Sequence, residues 1–404
     1  MTIGRSHGIS VLVVTAVVLA ACKRGGSDDA ASSSSGGIDA GSFDKSALLR
    51  AFGQCAFETY REVETGAVEL DASAARALTE ATPAAHDAAR ESWKKTIDAW
   101  QRAELFGFGP TALAGSPGGR DLRDPIYAWP LVNRCLIEQQ LLDKVYEKPE
   151  LATALVNTRG LGAAEYLLFY EGADNACQPT ATMNVSGTWN ALGATEIATR
   201  KTAYARALAA DTLTRSHELV AAWDPARGNF VGTLASAGSG QVYVSQQMAF
   251  NAVSSAFFYI DDFVKNMKLG KPAGFNPGCA APPCIADVES PWAHRSKEHL
   301  KNNLVGFDRL LRGCGADGAG LGWDDLLTAV GDAALAKKLS DALAVSRAKL
   351  DALKQPTLED DLVKDAPGVQ ALYDSLRVIV VLLKTEFISV LDLELPKRVE
   401  GDND

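Results

Sequence analysis

From Phe43 onward, apolar side chains return at spacings of three and four, and period-two alternation is nearly absent. This pattern predicts helices over 43–67, 84–106, 131–147, 150–158, 162–171, 190–222, 237–268, 296–313, 333–355 and 368–393. Gly- and Pro-rich punctuation separates them, as at Phe108-Gly109-Pro110, Gly115–Gly119, Asn276-Pro277-Gly278 and Gly313–Gly322. In the last helix Leu372, Leu376, Ile379, Leu383 and Phe387 form a stripe that Val380 and Val381 widen. An apolar face that wide needs neighbours on several sides. The expected fold is therefore all-α, with two antiparallel helical-bundle domains packed against each other. The polar stretch 174–188 divides them into 43–177 and 178–400, and the Gly-rich segment 226–240 is the alternative boundary.

The N-terminus has a different pattern. Arg5 precedes an apolar run from Ile9 to Ala21, which is too short to cross a bilayer of about 30 Å and reads as a cleaved signal over 1–21. Leu19-Ala20-Ala21-Cys22 resembles the bacterial lipobox, in which the cysteine carries lipid and becomes the new N-terminus. Lys23 follows it, which in known lipoproteins favours the outer membrane. Residues 22–42 are a Gly/Ser/Asp-rich tether with too little apolar surface to fold. The expected location is the periplasmic side of the outer membrane or the cell surface, with the membrane held through lipid on Cys22. No second apolar stretch is expected to reach spanning length.

Export changes how the cysteines are read. Six remain beyond Cys22, an even number that suggests three disulfides among fifteen connectivities. Cys279 and Cys284 flank a Pro-rich loop and are expected partners; Cys135–Cys177 and Cys55–Cys314 complete the set. No CxxC pair or Cys–His cluster has zinc-ligand spacing. Of the 404 residues, 47% are hydrophobic and 22% charged, and 40 Lys and Arg face 50 Asp and Glu for a net charge of -10. That balance argues against nucleic acid, which needs a basic face.

Three segments carry candidate chemistry. Trp93, Ile97, Trp100 and Glu104 are spaced four, three and four, so they share one helix face. Glu104 at the end of this apolar stripe reads either as a carboxylate placed at a cleft or as one reaching out from the helix end. Asp98 and Arg102 read as a surface i,i+4 pair. The segment 120–130 combines Arg120, Asp121, Arg123 and Asp124 with Tyr127 and Trp129; it is either a site loop or a loop pinned by its own Arg–Asp pairs. In 159–169 two glycines open a short apolar helix, and Glu165 falls near its first turn, where the helix dipole alone would favour it.

Taken in order, Trp100-Gln101-Arg102-Ala103-Glu104 with Phe108-Gly109-Pro110, Arg123-Asp124-x-Ile-Tyr127-x-Trp129-Pro130 and Gly160-x-x-x-x-Glu165-Tyr166-Leu167 resemble the imelysin-like family. Leu372-Tyr373 through Arg377, Leu383–Glu386 and Leu393–Pro396 resemble its closing helix, so the likeness spans roughly residues 43–396. The resemblance implies two four-helix bundles with a site between them, in exported, often lipid-anchored bacterial proteins. Members are linked to iron-regulated uptake, and the family is also catalogued among metallopeptidases. Its Gly-x-His-x-x-Glu signature has Gly162 in the histidine position here. Glycine offers no donor atom, which weighs against an enzyme.

The remaining histidines do not replace it. His294 and His299, five apart, cannot share a helix face; His217 reads as solvated or capping and His86 as exposed. No GxSxG elbow, P-loop, GxGxxG following a strand or calcium loop is present. Glu359-Asp360-Asp361 reads as a solvated helix start, Asp261-Asp262 as surface, and Glu289 with Ser290 as helix capping. The candidate ligand-binding residues are thus Glu104, Arg123, Tyr127, Gly162 and Glu165, with no catalytic residue. Glu165 and Glu104 are the candidate metal donors, and a metal ion is the only cofactor implied. The leading expectation is a lipid-anchored binding protein that captures a small ligand or metal at the interdomain cleft, with a part in iron or other metal acquisition. A metallopeptidase and a non-catalytic envelope interaction protein with a protein partner are the alternatives.

Overall fold

Asp44 opens the first helix by accepting a hydrogen bond from the Ala47 backbone at 2.9 Å. That helix, α1 (Lys45–Glu80), ends where Ala81 turns left-handed, and Thr82 with Pro83 starts α2 (Pro83–Ala103) at once. A two-residue turn makes the pair antiparallel. They approach so closely that a Cβ on Gly66 would stand 2.9 Å from the Thr96 Cα. The computed structural model describes residues 41–315 and 318–401. The signal segment, Cys22 and all but the end of the tether lie outside the described residues.

Among the described residues the structure is helical, with no strand, in agreement with the all-α expectation. After α2 come α3 (Arg134–Leu142), α4 (Gly160–Phe169) and the long α5 (Thr188–Trp223). The second half contains α6 (Gln246–Phe257), a π-helical stretch Ile260–Gly270, α7 (Ser296–Arg312), α8 (Trp323–Ala329), α9 (Ala333–Ala352), α10 (Leu358–Lys364) and α11 (Ala366–Leu382). The described residues form one compact unit. Within it α5 packs along α1 and α4, while α9 packs on α11 and α7 joins α2 to α9. On these contacts we propose that any division between bundles falls in 226–240 rather than 174–188.

Several boundaries differ from the pattern reading. The α1 helix runs to Glu80 because Leu70, Ala74 and Ala77 continue its buried stripe with small side chains that the spacing count passed over. The predicted 237–268 helix splits, because Ser245 caps a fresh start and the chain then widens into the π-helical stretch. The helices α8 and α10 were too short to register as periodic.

The closing helical run Ala366–Val390 is 25 residues long and contains an 18-residue window with a mean hydropathy of 1.4, so by length and composition a second stretch does reach spanning length. Its stripe of Leu372, Leu376, Ile379, Leu383 and Phe387 is buried in the core, as expected of a central bundle helix. All three expected disulfides form: Cys55–Cys314, Cys135–Cys177 and Cys279–Cys284.

Candidate functional site

Trp93, Ile97 and Trp100 are fully buried, and the stripe carries Gln101 and Glu104 inward with them. Burial of the Glu104 carboxylate is made tolerable by three donors. Lys268 Nζ lies 2.8 Å and the Tyr259 hydroxyl 2.5 Å from Oε2, and Arg123 reaches Oε1 at 3.3 Å. Lys268 sits on the π-helical stretch, a distortion common at functional positions. Its ammonium also donates to Gln101 Oε1 at 2.6 Å and Asn303 Oδ1 at 2.9 Å, and pairs with Glu289 Oε1 at 3.1 Å.

Glu289 is the second buried carboxylate. It accepts hydrogen bonds from the Tyr127 hydroxyl and Gln101 Nε2, each at 2.9 Å, and its other oxygen faces His299 Nδ1 at 3.0 Å. Two cations, Arg123 and Lys268, thus balance two carboxylates, Glu104 and Glu289, in one connected cluster. Burial opposes ionisation of Glu289, but Lys268 and His299 hold its carboxyl well below the usual range. Burial, and then Glu289, pushes the Tyr127 hydroxyl well above its ordinary value, so Tyr127 acts as a hydrogen-bond donor.

Glu165 stands apart from this balance. All of its hydrogen bonds fall on Oε1: from Ser290 Oγ at 2.8 Å, Ala293 N at 2.9 Å and Trp292 N at 3.1 Å. Burial raises its carboxyl to about 7, with these donors and His299 pulling the other way. It lies beyond the first turn of α4, so the helix dipole does not explain its position.

Two cavities flank the cluster. The first, of about 280 Å³, is lined by Tyr127, Trp129, Gly162, Glu165, Glu289 and Trp292 among others. The second, of about 360 Å³, is lined by Glu104, Arg123, Tyr259 and Phe263. The five candidate residues therefore divide, with Tyr127, Gly162 and Glu165 on one cavity and Glu104 and Arg123 on the other. Lys268 links the two, because it touches both Glu104 and Glu289.

The residues do not fit a metal centre. Among the described residues no three His, Cys, Asp or Glu side chains converge in a metal-holding group. Glu104 is committed to Lys268 and does not share a cavity with Glu165. At Gly162 a Cβ would stand 2.6 Å from Val132 Cγ2 and 3.6 Å from the Tyr127 ring, so Val132 fills the space a larger side chain would need.

Several polar readings change in three dimensions. Asp98 and Arg102 do not pair with each other: Arg295 takes Asp98 at 2.6 Å, and Arg102 reaches Glu62 at 3.0 Å and Asn302 at 2.6 Å. Glu289 and Ser290 serve the site instead of capping a helix. Asp261 is fully buried against Lys265 and Lys384, and Asp361 against Lys297, because each meets cations from other turns or helices. His217 is exposed beside Glu64, as its reading implied, whereas His86 is only half-exposed. Arg123 does pair with Asp124, at 2.9 Å, so the loop is pinned as well as part of the site.

Pattern reasoning missed Lys268, Glu289, His299 and Asn303. A signal for two of them was present: His299 and Asn303 stand four apart on α7 in line with Phe307, and all three are fully buried.

The imelysin (peptidase M75) family model matches residues 56–382. The chain belongs to the imelysin family. Two solved structures share its fold. One is assigned as an iron-regulated protein A precursor from Parabacteroides distasonis, with 16% identity and a TM-score of 0.66 over 86% of this chain and 95% of that one. The other is an imelysin-like protein from Psychrobacter arcticum, with 19% identity and a TM-score of 0.62 over 87% of this chain and 96% of that one. No curated protein matches the chain in sequence. In this imelysin-family member Glu165 is buried, and Gly162 stands three positions before it.

Proposed function

We propose that this imelysin-family protein is an exported binding protein, tethered through lipid on Cys22, that captures a small ligand in the Glu165 cavity. The observation that carries the reading is Glu165 itself: a sealed carboxylate, hydrogen-bonded on one oxygen only, lining a cavity walled by Tyr127, Trp129 and Trp292. The cavity combines aromatic walls with convergent polar groups, a pairing that fits a small-molecule site. The donor set argues against a metallopeptidase, since neither Gly162 nor the Lys268-bound Glu104 offers a ligand.

The name of the Parabacteroides neighbour refers to iron regulation. A part in metal acquisition fits this reading if metal arrives inside an organic chelate rather than on protein side chains. The test is a ligand-observed NMR screen of metabolite-sized compounds of mixed charge, with chelator present, against the protein and its Glu165→Gln variant. The reading predicts hits that the variant loses while its melting stays cooperative. A blank screen, or hits the variant keeps, would refute it.

A further inference from the structure

We infer that the ligand of the Glu165 cavity is an organic cation, an alkyl- or quaternary ammonium group lodged against Glu165 between aromatic walls. This rests on the proposed binding role and specifies its chemistry. The warrant is a charge inventory of the cavity wall. Glu289 is matched by Lys268 at 3.1 Å, and Asp287 by Lys271 at 3.0 Å. Arg134 turns to Glu138 at 2.7 Å and Asp174 at 2.9 Å, and its guanidinium lies 4.1 Å from the Tyr170 ring centre. Glu165 is left with neutral donors only: one hydroxyl and two backbone N–H groups.

A buried carboxylate without a counter-charge is costly to ionise. Here burial keeps the carboxyl protonated to about pH 7, and His299 is the nearby group whose charge would offset it. A cationic ligand supplies the missing charge. The walls suit the same guest, since Trp129, Trp292 and Tyr127 line the space and aromatic faces attract ammonium groups. A volume of about 280 Å³ lies at the small end of ligand pockets and suits a metabolite-sized cation. An anion would meet Glu165 and Glu289 while every wall cation is already engaged, and a bare metal ion lacks its donors.

Three probes of one shape separate the possibilities: choline, its neutral carbon isostere 3,3-dimethylbutan-1-ol, and the anion 3,3-dimethylbutanoate. In calorimetric titration of the purified protein at pH 8, choline is expected to bind about tenfold or more tighter than the alcohol, with no binding of the anion. Glu165→Gln should erase the choline advantage. Trp292→Leu, which keeps the carboxylate, should weaken choline several-fold while it stays ahead of the alcohol. Equal binding of choline and alcohol, or preference for the anion, would overturn the cation assignment and leave the binding role standing. Failure of all three probes, beside neutral or anionic hits in the mixed-charge screen, would do the same. A screen blank at every charge would remove the binding role as well.

Discussion

Lys268 Nζ and Glu104 Oε2 lie 2.8 Å apart, and neither side chain is more than 1% exposed. The same ammonium touches Glu289, so one cation holds two buried carboxylates. Replacing it strands both. Lys268→Met is expected to cost about 3–5 kcal/mol, read as a lower urea midpoint, and adding Glu104→Gln should recover part of the loss. An unchanged midpoint would mean the cluster is solvated or rearranges freely.

Restoring the family histidine is predicted to fail on steric grounds. Because a Cβ on Gly162 meets Val132 Cγ2 at 2.6 Å, Gly162→His should destabilise by about 1–3 kcal/mol, and Val132→Ala in the same chain should relieve much of it. Thermal melts of the two variants check this.

Glu165 makes stability depend on pH in a definite direction. Its folded carboxyl is raised to about 7, above the ordinary value of 4.5. Between those values the unfolded chain has released the proton and the folded one retains it, so stability falls as pH rises. The whole contribution is about 3 kcal/mol at 1.36 kcal/mol per unit. Glu165→Gln should therefore match the parent near pH 4.5 and be more stable at pH 8, by denaturant unfolding at both values. A variant less stable at pH 8 would show a nearby cation compensating the charge.

The disulfides should contribute unequally. Cys55–Cys314 closes a separation of 259 residues and Cys279–Cys284 one of 5. Loop-closure entropy gives about 5.6 kcal/mol for the first and about 2 for the second. Paired Cys→Ala variants compared by urea unfolding test the ranking, and equal losses would contradict it.

The fold was largely legible in sequence because its stripes are long and regular: Trp93–Ile97–Trp100 and Leu372–Phe387 are buried where their spacing places them. The site was legible only in part. Glu165 and Gly162 stood out through the signature, and Tyr127 and Trp129 through the loop. Lys268 did not, because its partners Gln101 and Glu104 lie more than 160 positions away and its π-helical register breaks the helical count. Asp98 and Arg102 misled for the converse reason. Correct local spacing was overruled by partners on other helices, Arg295 and Glu62.

The central claim is that the Glu165 cavity takes an organic ligand rather than a metal ion. Equilibrium dialysis of the chelator-treated protein against iron and zinc salts, beside its Glu165→Gln variant, tests it most directly. The account predicts no stoichiometric uptake by either chain. An ion held tightly by the parent and released by the variant would contradict it.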